Sequence, residues 1–264
     1  MIQDNLLNTL LLFFIFCFIG WVWECAYMSI TEEKKFTNRG FLNGPYIPIY
    51  GFGGLSIYLC LQKYGSGVII SMQSIKIYFI GLVFATVLEY ITSFLMEKIF
   101  KARWWDYTNY FLNINGRVCL LASLFWGLLS VVSVQFLNPF LLNKIDLLTH
   151  DIKIVITTAF VTVFILDLFV TINSIVNIQK RITMILAIEN NKLQALKEKI
   201  DSVSIPEEYK QLISDYKAKL YNISNPFTTR LINAFPHLKF ESKDRQNIFT
   251  KIREAKRLKK KGKK

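Results

Sequence analysis

Five long apolar stretches restrict this chain more than any other feature of its sequence. They cover approximately residues 6–30, 46–61, 75–96, 118–136 and 152–175. A helix needs roughly 20 apolar residues to cross a bilayer, and 52% of the chain is hydrophobic. The pattern predicts an all-α membrane protein, with a bundle of about five transmembrane helices over residues 1–178 and a cytoplasmic helical tail over residues 179–264.

Positive charge is spread unevenly, and this predicts an orientation. From residue 179 onward the chain has 21 Lys or Arg and 9 Asp or Glu, which is a net charge of +12 out of +13 for the whole chain. The first and third connections hold more Lys and Arg than the second and fourth. Because cationic residues of short loops stay in the cytoplasm, we expect the N-terminus outside and the basic tail inside the cell.

The second apolar stretch is irregular. Pro45 and Pro48 lack a backbone N–H, and Gly51, Gly53 and Gly54 weaken a helix. Two interpretations are open: a kinked but complete transmembrane helix, or a half-helix with a non-helical beginning that lines a site. Broken helix is tolerated at membrane depth only against protein or a wet cavity.

Three carboxylates, those of Glu24, Glu89 and Asp167, lie inside apolar stretches. A charge at such a position costs about 2.5–3.5 kcal/mol on insertion scales, so each carboxylate has to be paired, protonated or hydrated. Arg39 and Arg117 are the nearest cationic candidates for the two glutamates. A structural ion-pair network and a site for a substrate, ion or proton are both open, and Asp167 is a separate intramembrane acid.

Two polar loops, residues 38–45 and 103–107, follow the first and third stretches. In the expected topology both lie at the cytoplasmic face, and apolar packing alone does not require their polar residues. They therefore predict one polar site. Its candidate residues are Glu24, Asn38, Arg39, Glu89, Asp106 and Arg117. We expect no metal and no cofactor, since the two histidines are far apart and the four cysteines form no CxxC pair.

The tail predicts two helices that pack as a hairpin, the first continuing from the last span and the second beginning near residue 204. Residues 251–264 form a basic cluster. Beside a membrane, anionic lipid is the expected partner of such a cluster, and nucleic acid is not expected. The lipid bilayer itself and a second copy of the chain are further candidate partners.

Six short segments occur in a characteristic order. They are GWVWE (20–24), NRGFLNGP (38–45), PIYG (48–51), EYITS (89–93), WWDY (104–107) and NINGR (113–117). Together they resemble the CmpB-type family of bacterial ABC-transporter membrane proteins, over about residues 12–139. The resemblance implies a permease in the bacterial plasma membrane and brings no catalytic or binding residues with it. Because the chain has no GxxxxGK[ST] phosphate loop, an ATPase subunit would be a separate chain.

Three functions from different classes are open. The first is a transporter permease component with a polar site at the cytoplasmic side of the bundle. The second is a non-transporting scaffold or regulatory protein that binds partners through its loops and basic tail. The third is a membrane-embedded enzyme acting on lipid. It is the least favoured, because the sequence has neither a metal-ligand cluster nor an activated nucleophile pair, and we predict no catalytic residues.

Overall fold

The computed structural model describes residues 2–30, 38–62, 74–199, 211, 226–235, 238–240 and 242–261. Its helices are α1 (Ile2–Met28), α2 (Pro48–Gln62), α3 (Ser74–Phe100), α4 (Leu120–Val132), α5 (Asn138–Asp146), α6 (His150–Lys199), α7 (Pro226–Ala234) and α8 (Lys243–Lys261). Two short strands, β1 (Ala102–Arg103) and β2 (Lys239–Phe240), pair antiparallel. The predicted all-α fold class is confirmed.

Four helical stretches of the described chain are long and apolar enough to cross a membrane. They are Asp4–Met28, Ser74–Phe100, Leu120–Asp146 and His150–Ile188. The third of them joins α4 to α5 through a π-helical turn, Ser133–Leu137. The chain thus forms a polytopic helical membrane protein, and its described part has four long spans where about five were predicted.

The second predicted span is the short helix α2, which has 15 residues. At 1.5 Å per residue it is about 22 Å long, less than the roughly 30 Å hydrocarbon core. Residues 38–47 before it are non-helical. Pro48 begins the helix, a position where its missing N–H costs nothing. The described residues have the non-helical beginning of the second interpretation. The helix is described as far as Gln62, and residues 63–73 lie outside the described ranges.

The helices pack as two antiparallel hairpins, α1 with α2 and α3 with α4, and α6 lies against α1. The contact between α1 and α6 is aromatic: Phe14 stacks on Phe160 with ring centroids 5.4 Å apart. On the inward faces of the two long hairpin helices, Leu12 and Ile77 are fully buried. These hairpins position the residues of the candidate site.

The long helix α6 continues through the predicted domain boundary at residue 178. Around that boundary lies a buried apolar cluster, here called the tail-junction cluster. Its members are Ala102, Trp104, Ile175, Ile178, Ile182, Ile185, Leu231, Ile232, Leu238, Phe240, Ile248, Phe249 and Ile252. Through it α7, α8 and the β1–β2 ribbon pack against the bundle. The second tail helix, predicted from about residue 204, falls outside the described residues except for position 211, which is helical.

Candidate functional site

The first loop, residues 38–47, runs back along α1 instead of leaving the bundle. The backbone N–H of Ile47 donates to the carbonyl oxygen of Cys17 at 2.9 Å. Cys17 lies eleven residues before the end of α1 at Met28, which is about 16 Å of helix. Because α1 is long enough to span a bilayer, the polar backbone of this loop has to be satisfied inside the protein.

Asn38 organises the beginning of the first loop. Its side-chain oxygen accepts hydrogen bonds from Trp21 Nε1 at 2.9 Å and from the Gly40 N–H at 3.0 Å. Its side-chain nitrogen donates to the carbonyl oxygen of Asn43 at 3.0 Å. Asn38 was predicted as a site residue, and in the structure its amide is used by the loop itself.

Asp167 of α6 holds the other end of the first loop. Its carboxylate accepts from the N–H of Asn43 at 3.0 Å, the N–H of Gly44 at 2.7 Å and the hydroxyl of Tyr46 at 2.7 Å. The side-chain nitrogen of Asn43 and the Thr171 hydroxyl also donate to it. With five donors around it, this intramembrane acid acts as the anchor of the loop.

Arg230 of α7 satisfies carbonyl groups of the same loop. It donates to the carbonyl oxygens of Gly40 at 2.7 Å and Phe41 at 2.9 Å, and to the side-chain oxygen of Asn43 at 2.8 Å. In the reverse direction, Arg39 donates to the carbonyl oxygen of Ala234 at 2.5 Å. Loop and tail helix therefore exchange guanidinium–carbonyl hydrogen bonds, and among the described residues Arg39 forms no ion pair with Glu24 or Glu89.

The second loop, residues 101–119, carries most of its own hydrogen-bond partners. The N–H of Tyr107 donates to the carbonyl oxygen of Gly116 at 2.8 Å. Asn113 donates to the carbonyls of Thr108 and Tyr110 and accepts from the Gly116 N–H, each at 3.0 Å. Gly116 has a φ of +67°, a conformation that glycine adopts without steric cost. This loop is closed locally.

Asp106 ties the second loop to the tail. Its carboxylate accepts hydrogen bonds from Lys239 of β2 and from Thr108, and Arg103 lies 3.5 Å away. Burial disfavours the ionised carboxyl, but the hydrogen bonds from Lys239 and Thr108 outweigh it, and the pKa of Asp106 is lowered to about 2. The predicted site residue Asp106 is an ionised anchor for the ribbon.

Arg117 pairs with Glu97 and not with the intramembrane glutamates. The distance from Arg117 Nη2 to Glu97 Oε2 is 2.6 Å, and Arg103 approaches the same carboxylate at 3.2 Å. The Arg117 guanidinium also lies over the rings of Tyr90 and Phe94, 5.5 Å from each centroid. Both loop arginines are thus held at the end of α3.

Glu24 and Glu89 share a cluster of aromatic donors. Tyr50 donates its hydroxyl to Glu24 at 2.8 Å. Glu89, which is 5% exposed, accepts from Trp126 Nε1 at 3.0 Å and from the Tyr107 hydroxyl at 3.2 Å. The rings of Tyr50 and Trp126 contact each other, with centroids 5.0 Å apart. We call these five residues the glutamate cluster. In the described part of the chain, no Lys or Arg forms an ion pair with either glutamate.

The two loops meet through aromatic rings. Phe41 of the first loop packs edge-on against Trp104 of the second, with centroids 5.0 Å apart. Trp104 in turn contacts Phe235 after α7 at 4.7 Å. A small apolar cavity of about 20 Å³ lies in this region and is lined by residues of the tail-junction cluster, Trp104 among them. The loops therefore lie at one end of the bundle, and this cavity is away from the glutamates.

The predicted site residues fall into separate groups. Glu24 and Glu89 belong to the glutamate cluster, whereas Asn38 and Arg39 stabilise the first loop and Asp106 and Arg117 stabilise the second. Sequence reasoning missed Trp126 and Arg230. Trp126 lies one residue before Gly127 on a face that small residues dominate, and Arg230 lies in a basic tail where single arginines do not stand out.

Metal chemistry has no support in the described ranges, which contain no group of three or more His, Cys, Asp or Glu side chains that could hold a metal ion. His150 instead contacts the Asp4 carboxylate at 2.7 Å. The cysteines at 17, 25, 60 and 119 are free thiols.

Comparison with known proteins gives one family. No curated protein and no solved structure matches the chain. A family model described as "Putative ABC-transporter type IV" matches residues 11–172. The match covers α1 from residue 11 onward, all of α2 to α5 and the first part of α6, and so includes both loops and the glutamate cluster. The protein is a multi-helix membrane protein that belongs to the CmpB-type ABC-transporter family.

Proposed function

We propose that the protein is the permease component of a transporter, and that its transport path passes the glutamate cluster. The observation that carries the proposal is the environment of Glu89, which is buried within a membrane-spanning helix and whose hydrogen-bond donors among the described residues, Trp126 and Tyr107, are both neutral. A purely structural role would favour a cationic partner, because an unpaired charge in the membrane is costly. Neutral donors leave the acid free to take up and release a cation or a proton.

The proposal includes an orientation and a partner. The N-terminus lies outside, the tail lies in the cytoplasm, and the two loops close the cytoplasmic end of the bundle in the plasma membrane. The family description supports an ABC system, in which ATP hydrolysis would come from a separate subunit. Copurification of an ATPase with the full-length chain, lost when either loop is disrupted, would support this partner.

Uptake by membrane vesicles tests the proposal. Vesicles from cells that make or lack the protein are incubated with a panel of inorganic ions, amines and small metabolites, and their contents are compared by mass spectrometry. We expect at least one compound whose distribution depends on the protein and on Glu89, so that Glu89→Gln abolishes the difference. Glu254→Gln is the matched control, because Glu254 is an exposed carboxylate on α8. Identical contents with and without the protein would contradict the proposal.

A second candidate function is a regulatory membrane protein whose tail senses a partner. It is favoured by the exchange of hydrogen bonds between Arg39 and Ala234 and between Arg230 and the first loop, since a partner that moved α7 would change the loop. A partner that copurifies with the full-length chain, but not with an Arg230→Ala variant of unchanged helix content, would support it. Vesicle uptake that depends on Glu89 would speak against a purely regulatory role.

A further inference from the structure

The two hairpins α1–α2 and α3–α4 correspond residue by residue. A shift of 65 positions places Glu24 on Glu89, and one face of each long helix is then buried at every fourth residue in the same register. In α1 this face is Leu12, Phe16, Gly20 and Met28, and in α3 it is Ile77, Gly81, Ala85 and Ser93. Each of these eight residues is buried. Glu24 is the fourth of five residues in the α1 series, between Gly20 and Met28, and Glu89 is the fourth in the α3 series, between Ala85 and Ser93. Other faces of α1 are buried too, at Leu11, Phe13, Phe14, Cys17 and Cys25.

The returning helices correspond as well, with a shift of 76 positions that places Gly51 on Gly127. Gly51 is so close to Phe13 that a Cβ would overlap the ring, and Gly127 stands in the same relation to Tyr78. Phe13 and Tyr78 both lie eleven residues before the glutamate of their helix. The two hairpins therefore close on themselves through equivalent positions.

One turn further on, the correspondence continues. Gly54 packs against Phe16, and the matching residue Ser130 packs against Gly81. Phe16 and Gly81 both lie eight residues before their glutamate. In the first hairpin the glycine lies on the returning helix, and in the second it lies on the long helix. The two positions in contact are equivalent in both hairpins.

The hydrogen bonds of the glutamates follow the same rule. Tyr50, the residue before Gly51, donates to Glu24. Trp126, the residue before Gly127, donates to Glu89. Each hairpin thus presents its own carboxylate to its own aromatic donor.

One contact between the hairpins joins equivalent positions, as a twofold relation requires. The equivalent residues Tyr50 and Trp126 contact each other directly. Trp23 of α1 stacks on Phe125 of α4 with centroids 5.3 Å apart. Its counterpart Leu88 of α3 also contacts the other hairpin, at Gly53 of α2, one helical turn from Ile49, the counterpart of Phe125. Since α1 and α3 run in the same direction, the relating axis runs along the bundle and, for membrane-spanning hairpins, along the membrane normal.

We infer that α1–α2 and α3–α4 are two copies of one structural unit, and that the Tyr50–Trp126 contact on the axis between them is the closure of the transport path. Substrate sites of repeat-built transporters lie at the interface between the repeats, which is where both glutamates meet their donors. Movement of the copies against each other opens the ring contact and leaves each aromatic bonded to its own glutamate. The closure rests on the proposed transport function, whereas the duplication does not.

Cross-linking tests the closure. In a background with alanine at the four cysteine positions, a Trp23→Cys/Phe125→Cys variant is treated with a short bifunctional thiol reagent, and uptake of the compound found with the vesicle panel is compared before and after treatment. These two side chains stack across the copies and lie outside the glutamate cluster. We expect an intramolecular cross-link that reduces uptake to background. The control is Ser74→Cys/Gln135→Cys, which joins the beginning of α3 to the π-helical turn after α4 through two side chains 2.8 Å apart. Its cross-link does not connect the two copies and leaves uptake unchanged.

Two results of the cross-linking experiment would contradict the closure. A 23–125 cross-link that leaves uptake unchanged, or failure of this cross-link to form while the control forms, overturns the closure. If the panel reveals no uptake even in the unmodified protein, the proposed function fails and the closure fails with it, but the duplication remains open to its own test.

That test uses melting temperatures of the purified full-length protein. Gly54→Ala and Gly81→Ala should each lower the melting temperature, and their effects should couple to Phe16→Ala and Ser130→Gly respectively, because each pair is in contact. The exchanged combinations, Gly54→Ala with Ser130→Gly and Gly81→Ala with Phe16→Ala, should be additive. Additive effects within the matched pairs would overturn the duplication.

Discussion

The two loops differ in where their backbone finds hydrogen-bond partners. The first loop depends on distant elements, since Asp167 of α6 binds its N–H groups and Arg230 of α7 binds its carbonyls. The second loop relies mainly on its own residues, above all Asn113 and Gly116. Both lie at the same end of the bundle, so location does not account for the difference.

Because of this difference, we expect the two loops to respond differently to a perturbation of the tail. Residues 107–118 of the second loop should keep their conformation when the tail is perturbed, because their closing hydrogen bonds lie within this range. The first loop should change with the position of α6 and α7. A signal that reaches the tail therefore has a direct physical connection to the first loop, and through Tyr50, shortly after this loop, to Glu24.

The largest effect is expected at Asp167. Asp167→Ala removes the acceptor of two backbone N–H groups and the Tyr46 hydroxyl, and leaving such buried donors unpaired costs on the order of 4 kcal/mol of unfolding free energy. Asp167→Asn keeps one acceptor oxygen and should lose about half as much. Thermal unfolding of the purified protein measures both. Equal melting temperatures for wild type and Asp167→Ala would contradict the anchoring role.

Arg230→Ala should come next, with a loss of about 3 kcal/mol, because two backbone carbonyls and Asn43 lose a charged donor. The first loop should also become accessible, which thiol labelling of a cysteine introduced at position 41 would detect. Arg245→Ala is the matched control, since no hydrogen bond or ion pair of the Arg245 side chain is recorded in the described ranges. An effect of Arg230→Ala no larger than that of Arg245→Ala would mean that tail and loop are not coupled.

Asn113→Ala should have a smaller and strictly local effect. It removes three hydrogen bonds inside the second loop and should cost about 1–2 kcal/mol, because part of this loop is exposed and water can replace the lost partner. Labelling at position 41 should stay at the wild-type level. If Asn113→Ala exposes the first loop as strongly as Arg230→Ala does, the proposed distinction between the loops is wrong.

The smallest effect is expected for the ion pair between Asp106 and Lys239. Lys239→Ala should cost under about 1 kcal/mol, because the Lys239 side chain is 59% exposed and exposed pairs contribute little. The pKa of Asp106 is lowered to about 2 from its ordinary value of 3.8. The pair therefore contributes fully above pH 3.8 and is lost only as the pH falls through about 2.

A pH titration checks this last expectation. The difference in melting temperature between wild type and Lys239→Ala should be constant from pH 8 down to about pH 5, well above both pKa values. A difference that vanished between pH 7 and pH 5 would show that the Asp106 carboxyl is not held in its ionised form by the pair.

Much of the architecture could be predicted from the sequence, because long apolar stretches in a membrane protein leave few alternatives to helices. The four long spans and the irregular second stretch follow from composition, Pro48 and the glycines. The partners of the polar residues do not follow. Arg117 binds Glu97, twenty residues away, and not Glu24 or Glu89, since its direction depends on how the second loop folds back.

The same limit explains the residues that were missed. Arg230 lies 190 residues from its acceptor Gly40, and no periodicity links the two positions. Trp126 donates to Glu89 only because α3 and α4 pack in one particular register. Glu24 and Glu89 could be singled out because a carboxylate in an apolar helix is conspicuous by itself, whereas their neutral partners are ordinary residues of membrane helices.

The proposed transport path is tested most directly by measuring whether Glu24 and Glu89 act as one site. Uptake by membrane vesicles is measured for Glu24→Gln, Glu89→Gln and the double variant, each shown to be folded by its melting temperature. Because residues of one site are not additive, the double variant should lose no more uptake than the more severe single variant. Losses that multiply, as for two independent sites, would contradict the single glutamate cluster.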